Sequence, residues 1–181
     1  MNAPCPLRII GGAWRRRLLR FPARAGLRPT PDRVRETLFN WLGQDLSGRL
    51  CLDLFAGSGA LGFEAASRGA ARVIMVERDG KARAALRDSI RQLGADATVE
   101  LSGMDAVEFA AATRETFDVV FVDPPYRQGW LERLEPCLPR LVKKDGLLYL
   151  EAERPVTTWG GLTAVRHGRA GQVFYHLLLE A

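Results

Sequence analysis

The stretch DLFAGSGALG, residues 53–62, decides the fold, because it places three glycines directly after a short apolar run. That run, Cys51 to Phe55, has the length and composition of a buried strand. Glycines in the turn that follows allow the backbone to approach a bound ligand closely. A strand, a glycine turn and an apolar helix in this order predict a ligand site at the carboxyl edge of a parallel sheet.

The chain beyond this stretch repeats the alternation of apolar strands and helices. We predict strands at 51–55, 73–77, 98–101, 118–122 and 147–151, and helices at 61–68, 81–93, 106–113 and 130–141. Helices of this length form the right-handed crossovers that join parallel strands. Leu162 to Arg166 and Val173 to Leu179 predict a closing hairpin. The expected fold class is therefore α/β, a mostly parallel sheet that ends in an antiparallel hairpin.

The N-terminal segment has a different pattern. Leu7 to Ile10 and Arg17 to Phe21 are short β-like runs on either side of two glycines, and they predict a small hairpin. Thr30 and Pro31 then provide an N-cap and a proline at the first helical position. We predict a helix from this point through Trp41 or Leu42. The domain organisation that follows is an arm, residues 1–30, and a main domain with a leading helix, residues 31–181.

The net charge of +5 is concentrated in the arm. Nine arginines and two acids give the first 36 residues a charge of +7, which leaves −2 for the remainder. Guanidinium groups bind phosphate bidentately and stay charged at any relevant pH. A nucleic-acid partner and a merely solubilising arm are both consistent with this charge. The candidate nucleic-acid contacts are Arg8, Arg15, Arg16, Arg17, Arg28 and Arg33.

Composition excludes several classes of protein. A chain of 181 residues that is 47% hydrophobic can bury a core as one domain, and we expect a monomer. No apolar run approaches the roughly 20 residues that span a bilayer, and the N-terminus lacks the pattern of a signal peptide, so we expect a cytoplasmic protein. Cys5, Cys51 and Cys137 are too widely separated to indicate a disulfide framework or a metal site.

The glycine turn alone leaves the cofactor open. Gly57 to Gly62 also matches G-x-G-x-x-G, so a dinucleotide-binding dehydrogenase is possible on this string. Asp53 argues against it, because a carboxylate before the turn would repel a pyrophosphate. It favours a cation, and S-adenosylmethionine carries an ammonium and a sulfonium group. We therefore predict S-adenosylmethionine as the cofactor, held by Asp53, Phe55, Ala56, Gly57, Ser58 and Gly59.

The ends of the next two predicted strands provide further candidate cofactor ligands. Glu77 can accept hydrogen bonds from two ribose hydroxyls, a role that fits either class of cofactor. Asp105 can accept a hydrogen bond from the adenine amino group, while the Ala106 amide meets a ring nitrogen. A surface acid at Glu77 and a helix cap at Asp105 remain alternatives.

The run FDVVFVDPPY, residues 117–126, predicts a buried strand that ends in an acid, two prolines and an aromatic ring. Pro124 and Pro125 fix their φ angles and lack N–H groups, so nearby carbonyls stay free to accept hydrogen bonds. We expect the Asp123 carboxylate and the Pro124 carbonyl to bind the two N–H groups of an exocyclic amine, and Tyr126 to stack on its base. The predicted reaction is in-line methyl transfer without a metal.

On these motifs the chain resembles the bacterial 16S ribosomal RNA guanine-N2 methyltransferases of the RsmD type. The resemblance covers nearly the whole chain and rests on residues 8–12, 14–15, 28–30, 32–42, 53–62, 123–126 and 171–173. It implies a Rossmann-like methyltransferase fold, a guanine 2-amino group as nucleophile, and the small ribosomal subunit or an assembly intermediate as substrate. The arm differs from the family, which commonly has a glycine between the arginines where this chain has Arg15-Arg16-Arg17.

Two other functions remain open on the residues alone. An adenine-N6 methyltransferase acting on RNA or DNA would use the same loop, because the loop recognises an amino group and not a particular base. A basic RNA-binding module with an inactive nucleotide fold is a further alternative. The intact acid, prolines and tyrosine at residues 123–126 argue against that module.

Overall fold

The computed structural model describes residues 5–22 and 30–180. Its strands are β1 Cys5–Arg8, β2 Leu18–Phe21, β3 Leu50–Asp53, β4 Arg72–Val76, β5 Val99–Ser102, β6 Phe117–Val122, β7 Val142–Ala152, β8 Thr158–Trp159, β9 Leu162–Ala170 and β10 Val173–Glu180. Its α-helices are α1 Asp32–Leu42, α2 Ala60–Ser67, α3 Gly80–Leu93, α4 Ala106–Ala112, α5 Trp130–Leu134 and α6 Leu138–Leu141.

An eight-stranded sheet forms the centre of the molecule, in the order β5-β4-β3-β6-β7-β10-β9-β8. The first five strands of this order run parallel, and β10, β9 and β8 continue the sheet in antiparallel pairing. The chain moves outward from β3 to β5 and then returns to place β6 on the other side of β3. Open α/β sheets bind their ligands at such a reversal point.

The sheet has a hydrophobic core on each face. Along β6 the side chains alternate, so that Val119 and Phe121 join one core while Val120 and Val122 join the other. All four are buried. A strand that is covered on both sides needs a continuous apolar sequence, which explains why β6 is so hydrophobic up to the acid that follows it.

The arm forms the predicted antiparallel hairpin, in which Cys5 pairs with Phe21 and Arg8 pairs with Leu18. The two strands are joined by a long connection, residues 9–17, and not by a tight two-glycine turn. Arg16 has a φ angle of +71° in this connection. A side chain is strained in that conformation, which glycine adopts freely. The turn therefore differs from the glycine-containing family pattern in sequence while it keeps a glycine-like backbone.

Two local predictions were wrong. Thr30 does not cap α1, because Pro31 occupies the N-cap position and no side chain provides a capping hydrogen bond. The helix predicted at 130–141 is divided into α5, a 3₁₀ turn at Glu135–Cys137, and α6. Pro136 causes this break, because a proline inside a helix removes one hydrogen bond and its ring clashes with the preceding turn.

Three further observations concern the described part of the chain. None of its helices is both long and apolar enough to cross a membrane. Its histidines, cysteines, aspartates and glutamates form no group that could hold a metal ion. Cys51 and Cys137 are buried free thiols.

Candidate active site

The predicted cofactor and catalytic acids lie along one edge of the sheet. Asp53 is the last residue of β3, and Glu77 and Asp123 directly follow β4 and β6. Because β3 lies between β4 and β6, the register places Asp53 opposite Met75 on one neighbour and Phe121 on the other. The three acids therefore leave the sheet side by side, as the sequence predicted.

The glycine loop connects β3 to α2 with a tight backbone path. The Ala56 amide donates to the Val76 carbonyl at 3.0 Å, and the Gly59 amide donates to the Ala56 carbonyl at 2.6 Å. Gly59 has a φ angle of +81°, and a Cβ atom there would lie 2.4 Å from the Phe63 ring. Glycine is therefore required at this position, because any side chain there would collide with the Phe63 ring.

Asp53 lies beneath this loop and is only 2% exposed. Its Oδ2 atom accepts a hydrogen bond of 3.1 Å from the Gly62 amide. Burial raises the pKa of Asp53 to about 7, and the charge of Glu77 adds to this rise, while the amides of Gly62 and Phe55 oppose it. Within residues 5–22 and 30–180 this carboxylate accepts hydrogen bonds from neutral amides and has no ion pair, so its charge is uncompensated there. Such a carboxylate fits a cationic ligand group, which agrees with the ammonium of S-adenosylmethionine.

Glu77 also contacts the glycine loop. Its Oε2 atom accepts from the Gly57 amide at 3.0 Å, and its Oε1 atom accepts from the Asp79 amide at 2.7 Å. These two bonds fix the carboxylate at the end of β4. Glu77 is partly buried at the sheet edge, and its role as a ribose ligand stays a prediction.

Asp105 acts as the N-cap of α4, where its Oδ1 atom accepts from the Val107 amide at 2.9 Å. The Arg78 guanidinium lies 3.3 Å from its Oδ2 atom. Ala106 is buried as the first residue of the helix. The helix cap, which the sequence left open as an alternative, is thus present. Adenine recognition by Asp105 and the Ala106 amide stays a prediction.

The catalytic loop follows β6. Pro124 is buried, Pro125 and Tyr126 are exposed, and Asp123 is partly buried between them and the sheet. Burial raises the pKa of Asp123 well above its usual value, and the charges of Glu151 and Asp53 add to this rise. Burial also raises the pKa of Tyr126, so its hydroxyl stays protonated. The loop therefore presents an acid and a stacking ring together, and their catalytic roles remain predictions.

Glu151 is an acid of this site that the sequence analysis did not select. It lies near the end of β7, the strand next to β6, and is 4% exposed. The Tyr149 hydroxyl donates to its Oε1 atom at 2.8 Å, and the Thr30 hydroxyl lies 3.1 Å from the same atom. The signal for Glu151 was an acid at the carboxyl end of a buried strand, the same feature that identified Asp53 and Asp123.

A cavity of about 260 Å³ opens beside the catalytic loop. It is lined by residues 124–132 and 151–154, so that Tyr126 and Glu151 face the same space. Trp130 is buried in its wall, and the Arg133 guanidinium lies 4.4 Å from the centroid of its ring. Aromatic side chains around a cavity of this kind suit a planar base.

The comparisons with known proteins agree with this geometry. The family described as Conserved hypothetical protein 95 matches residues 7–179. Ribosomal RNA small subunit methyltransferase D of Escherichia coli (strain K12) is 42% identical over 180 residues, which cover 94% of this chain and 88% of that protein. The chain belongs to this methyltransferase D family, abbreviated RsmD.

Solved structures extend this RsmD assignment to the fold. A structure from Escherichia coli named as the methyltransferase yhhF is 39% identical, has a TM-score of 0.86, and covers 98% of this chain and 99% of that chain. The T. thermophilus 16S rRNA N2 G1207 methyltransferase (RsmC), solved in complex with AdoMet and guanosine, is 21% identical, with a TM-score of 0.73 over 99% of this chain and 50% of that chain. The second match shows the fold alone. The predicted methyltransferase fold is confirmed.

The predicted RNA contacts of this RsmD family member lie on the arm and on α1. The structure exposes Arg8, Arg15, Arg16, Arg17 and Arg33, while Arg28 lies outside the described residues. Arg17 is close to the carbonyl of Gln92 on α3, at 3.5 Å. The exposed guanidinium groups are therefore available to phosphates, and RNA binding by them stays a prediction.

Two other arginines of the RsmD chain are buried around Glu64 on α2. Glu64 is fully buried, and Arg35 and Arg68 both reach its carboxylate. The amides of Ile10 and Gly11 donate to the same carboxylate at 3.0 and 2.7 Å. This cluster attaches the arm to the main domain. Sequence reasoning counted Arg35 with the basic arm, but its side chain has a structural contact with Glu64.

Proposed function

We propose that this chain is an S-adenosylmethionine-dependent methyltransferase that modifies the 2-amino group of a guanine in 16S ribosomal RNA. The observation that carries the proposal is the position of the Asp123 loop beside the glycine loop, at the ends of the adjacent strands β6 and β3. An amine-binding loop next to a cation-binding loop brings the nucleophile and the methyl donor together. Membership of a ribosomal RNA methyltransferase family supports RNA as the substrate.

S-adenosylmethionine is the cofactor, and this prediction is confirmed by the methyltransferase relatives. We assign its ammonium group to Asp53, its ribose to Glu77, and its adenine to Asp105 and Ala106. The backbone of residues 55–59 would line its methionine part, because that loop has two glycines and the Phe55 amide at its start donates to Asp53. When bound, the cofactor supplies a methyl group on a positively charged sulfur.

The chain's own residues position the amine. The Asp123 carboxylate and the Pro124 carbonyl accept its two N–H groups, which turns the nitrogen lone pair toward the methyl group. Tyr126 stacks on the base at the mouth of the cavity. The nitrogen becomes acidic as it attacks, so Asp123 takes its proton late in the reaction. Pro125 stiffens the loop by fixing its φ angle.

The finer assignments have separate support. The guanine N2 atom as target follows the RsmD resemblance, and the fold neighbour from T. thermophilus is named for the same atom. The exposed arginines of the arm, residues 1–30, support a contact with ribosomal RNA in the small subunit or an assembly intermediate, while residues 31–181 form the catalytic domain. We propose that the protein acts in the cytoplasm as a monomer.

The deciding experiment is methyl transfer from labelled S-adenosylmethionine to small subunits purified from cells that lack this protein. Nucleoside analysis should then find labelled N2-methylguanine. Labelled N6-methyladenine would instead support the alternative, an adenine-N6 methyltransferase that uses the same amine-binding loop. Absence of label in any nucleoside of the small subunit would refute the proposed function.

The role of Asp123 has its own test. Asp123→Ala should keep S-adenosylmethionine binding and reduce methyl transfer by at least about 100-fold, as is usual for loss of a general base. Calorimetry measures the binding, and single-turnover kinetics measure the transfer. Asp123→Asn keeps the size of the side chain and controls for packing. Full activity in both variants would remove Asp123 from the mechanism.

A further inference from the structure

A second carboxylate accompanies the proposed catalytic acid, and the proposed mechanism does not use it. Glu151 is buried at the end of β7 and lines the same cavity as the catalytic loop. Among residues 5–22 and 30–180, no lysine or arginine forms an ion pair with Glu151 or Asp123. Two neighbouring carboxylates without a cation are costly to ionise together.

Thr30 bridges the two acids. Its Oγ1 atom lies 3.4 Å from Oδ2 of Asp123 and 3.1 Å from Oε1 of Glu151. A hydroxyl has one proton and can donate to only one carboxylate at a time. Both contacts become hydrogen bonds only when one of the acids carries a proton and donates it. The geometry therefore favours a pair of acids that holds one proton.

The surroundings of Glu151 indicate where its charge is stabilised. The Tyr149 hydroxyl donates to Oε1 of Glu151 at 2.8 Å, and Thr30 can donate to the same atom. Thr30 itself is held in place, because Arg35 donates to its carbonyl at 3.2 Å and is also bound to Asp32. Glu151 is thus the better hydrogen-bond acceptor of the two acids.

We propose that Glu151 and Thr30 are positioning residues that set the protonation state of Asp123, so that Asp123 and Glu151 share one proton. This inference rests on the proposed function. In each turnover the pair releases its proton to solvent before reaction. The nitrogen–carbon bond then forms as the carbon–sulfur bond breaks, and the proton that leaves the nitrogen returns the pair to its singly protonated state. The overall reaction releases one proton.

The titration of the two acids supports the pairing. Burial raises the pKa of both Asp123 and Glu151. The charge of Glu151 raises the pKa of Asp123 further, whereas the hydrogen bond from Thr30 lowers it. The other titratable groups that face the pair are Asp53 from β3, Tyr149 from β7 and Tyr126 from the catalytic loop.

The pairing predicts pKa shifts of opposite sign in two variants. Glu151→Gln removes the neighbouring charge, so the pKa of Asp123 should fall by about one unit or more. Thr30→Val removes the hydrogen bond at nearly constant volume, so the same pKa should rise, while Thr30→Ser should leave it near the wild-type value. A purely structural role for either residue would not produce opposite shifts.

The measurement is a titration of the aspartate carboxyl carbons by NMR in the free protein, with the Asp123 signal identified by its loss in Asp123→Asn. Glu180→Gln is the matched control, because it removes one exposed carboxylate from the neighbouring strand β10 and should shift nothing. An unchanged Asp123 pKa in Glu151→Gln would overturn the proposal. If Glu151→Gln does not fold, an Asp123 pKa in Thr30→Val equal to that in Thr30→Ser would overturn it equally.

A kinetic measurement separates this proposal from the proposed function. The acidic limb of the pH profile for RNA methylation should move to lower pH in Glu151→Gln, by the same amount as the Asp123 pKa. If no RNA is methylated but the NMR shifts appear, the pairing stands and the proposed function fails. If RNA is methylated and the NMR shifts are absent, the pairing fails alone.

Discussion

The arm and the sheet edge use charge in opposite ways. In the described part of the arm, the arginines at 8, 15, 16, 17 and 20 are all exposed to solvent. At the sheet edge, Asp53 and Glu151 are buried and Asp123 is partly buried, and they form hydrogen bonds with neutral groups or with one another. Exposed charges are screened by salt, while buried ones change their pKa. RNA binding by the arm should therefore depend on ionic strength, whereas cofactor binding and stability at the sheet edge should depend on pH.

The Glu64 cluster connects the two regions and combines their features. It contains buried arginines and a buried carboxylate, so its charges compensate one another. The position of the arm depends on this cluster, because the Ile10 and Gly11 amides both donate hydrogen bonds to the Glu64 carboxylate. Replacing Glu64 by a neutral residue tests how much this cluster contributes to the stability of the folded chain.

Glu64→Gln should produce the largest effect. The substitution leaves the buried Arg68 without its counter-ion and leaves Arg35 with only the exposed carboxylate of Asp32, which costs about 3–5 kcal/mol in the free energy of unfolding. Urea denaturation measures this loss. Glu100→Gln is the control, because its ion pair with Arg72 is exposed and should contribute less than about 1 kcal/mol. Equal losses in the free energy of unfolding for the two variants would contradict the proposal that Glu64 compensates buried charges.

Asp53→Asn tests the uncompensated charge at the sheet edge. The variant should bind S-adenosylmethionine roughly 10- to 100-fold more weakly, which corresponds to loss of one charged hydrogen bond. It should also be more stable than the wild type at pH 8 without ligand. The pKa of Asp53 is raised to about 7, so its stabilising contribution is present below pH 4 and is lost as the pH rises to 7. Weaker binding without this gain at pH 8 would mean that the charge is not buried.

The same pKa predicts the pH dependence of cofactor binding. The ionised Asp53 binds the ammonium group, so the affinity for S-adenosylmethionine should rise between pH 6 and pH 8, by up to about tenfold per unit below the pKa of about 7. Calorimetry across this range measures it. Asp53→Asn should show a flatter profile. If the wild-type affinity does not change with pH, the ammonium group does not bind to Asp53.

Much of this architecture could be predicted from local sequence. The alternation of apolar runs and helices located the parallel strands within one to five residues of their observed ends, because the inner strands are buried on both faces and have continuous apolar sequences. The proximity of Asp53, Glu77 and Asp123 was also predictable, because each follows or ends a predicted parallel strand. Acids at the ends of parallel strands meet at one edge of the sheet whatever their separation in the chain.

The remaining parts depend on contacts between distant residues. The sequence around Thr30 predicts a helix cap, but its hydroxyl is directed to Asp123 and Glu151, which follow it by 93 and 121 residues. In the sequence, Glu64 is an ordinary polar residue of a predicted helix, and its role appears only in its contacts with the arm. Such contacts are fixed by tertiary packing, and no local propensity indicates them.

The arginines of the arm should give the smallest effect. Replacing Arg15, Arg16 and Arg17 by alanine removes three exposed charges, and the slope of log affinity for small subunits against log salt should become shallower by about 2 to 3. At physiological salt the loss of affinity should be only roughly 3- to 10-fold, because screening already weakens exposed charges. Alanine keeps a Cβ atom at Arg16, so the φ angle of +71° is not relieved and stability does not confuse the result.

The matched control for this triple variant removes the same charge from another surface. Arg87, Arg114 and Lys144 are exposed and lie outside the arm, so their replacement by alanine should leave the salt slope nearly unchanged. Filter binding at several salt concentrations measures both variants, and calorimetry should find their affinity for S-adenosylmethionine equal to that of the wild type. Equal slopes for the two variants would show that the arm responds only as part of the total charge. A salt slope that becomes shallower only in the arm variant would instead identify the arm as the RNA contact. The two variants lose the same amount of charge and differ only in the surface from which it was removed.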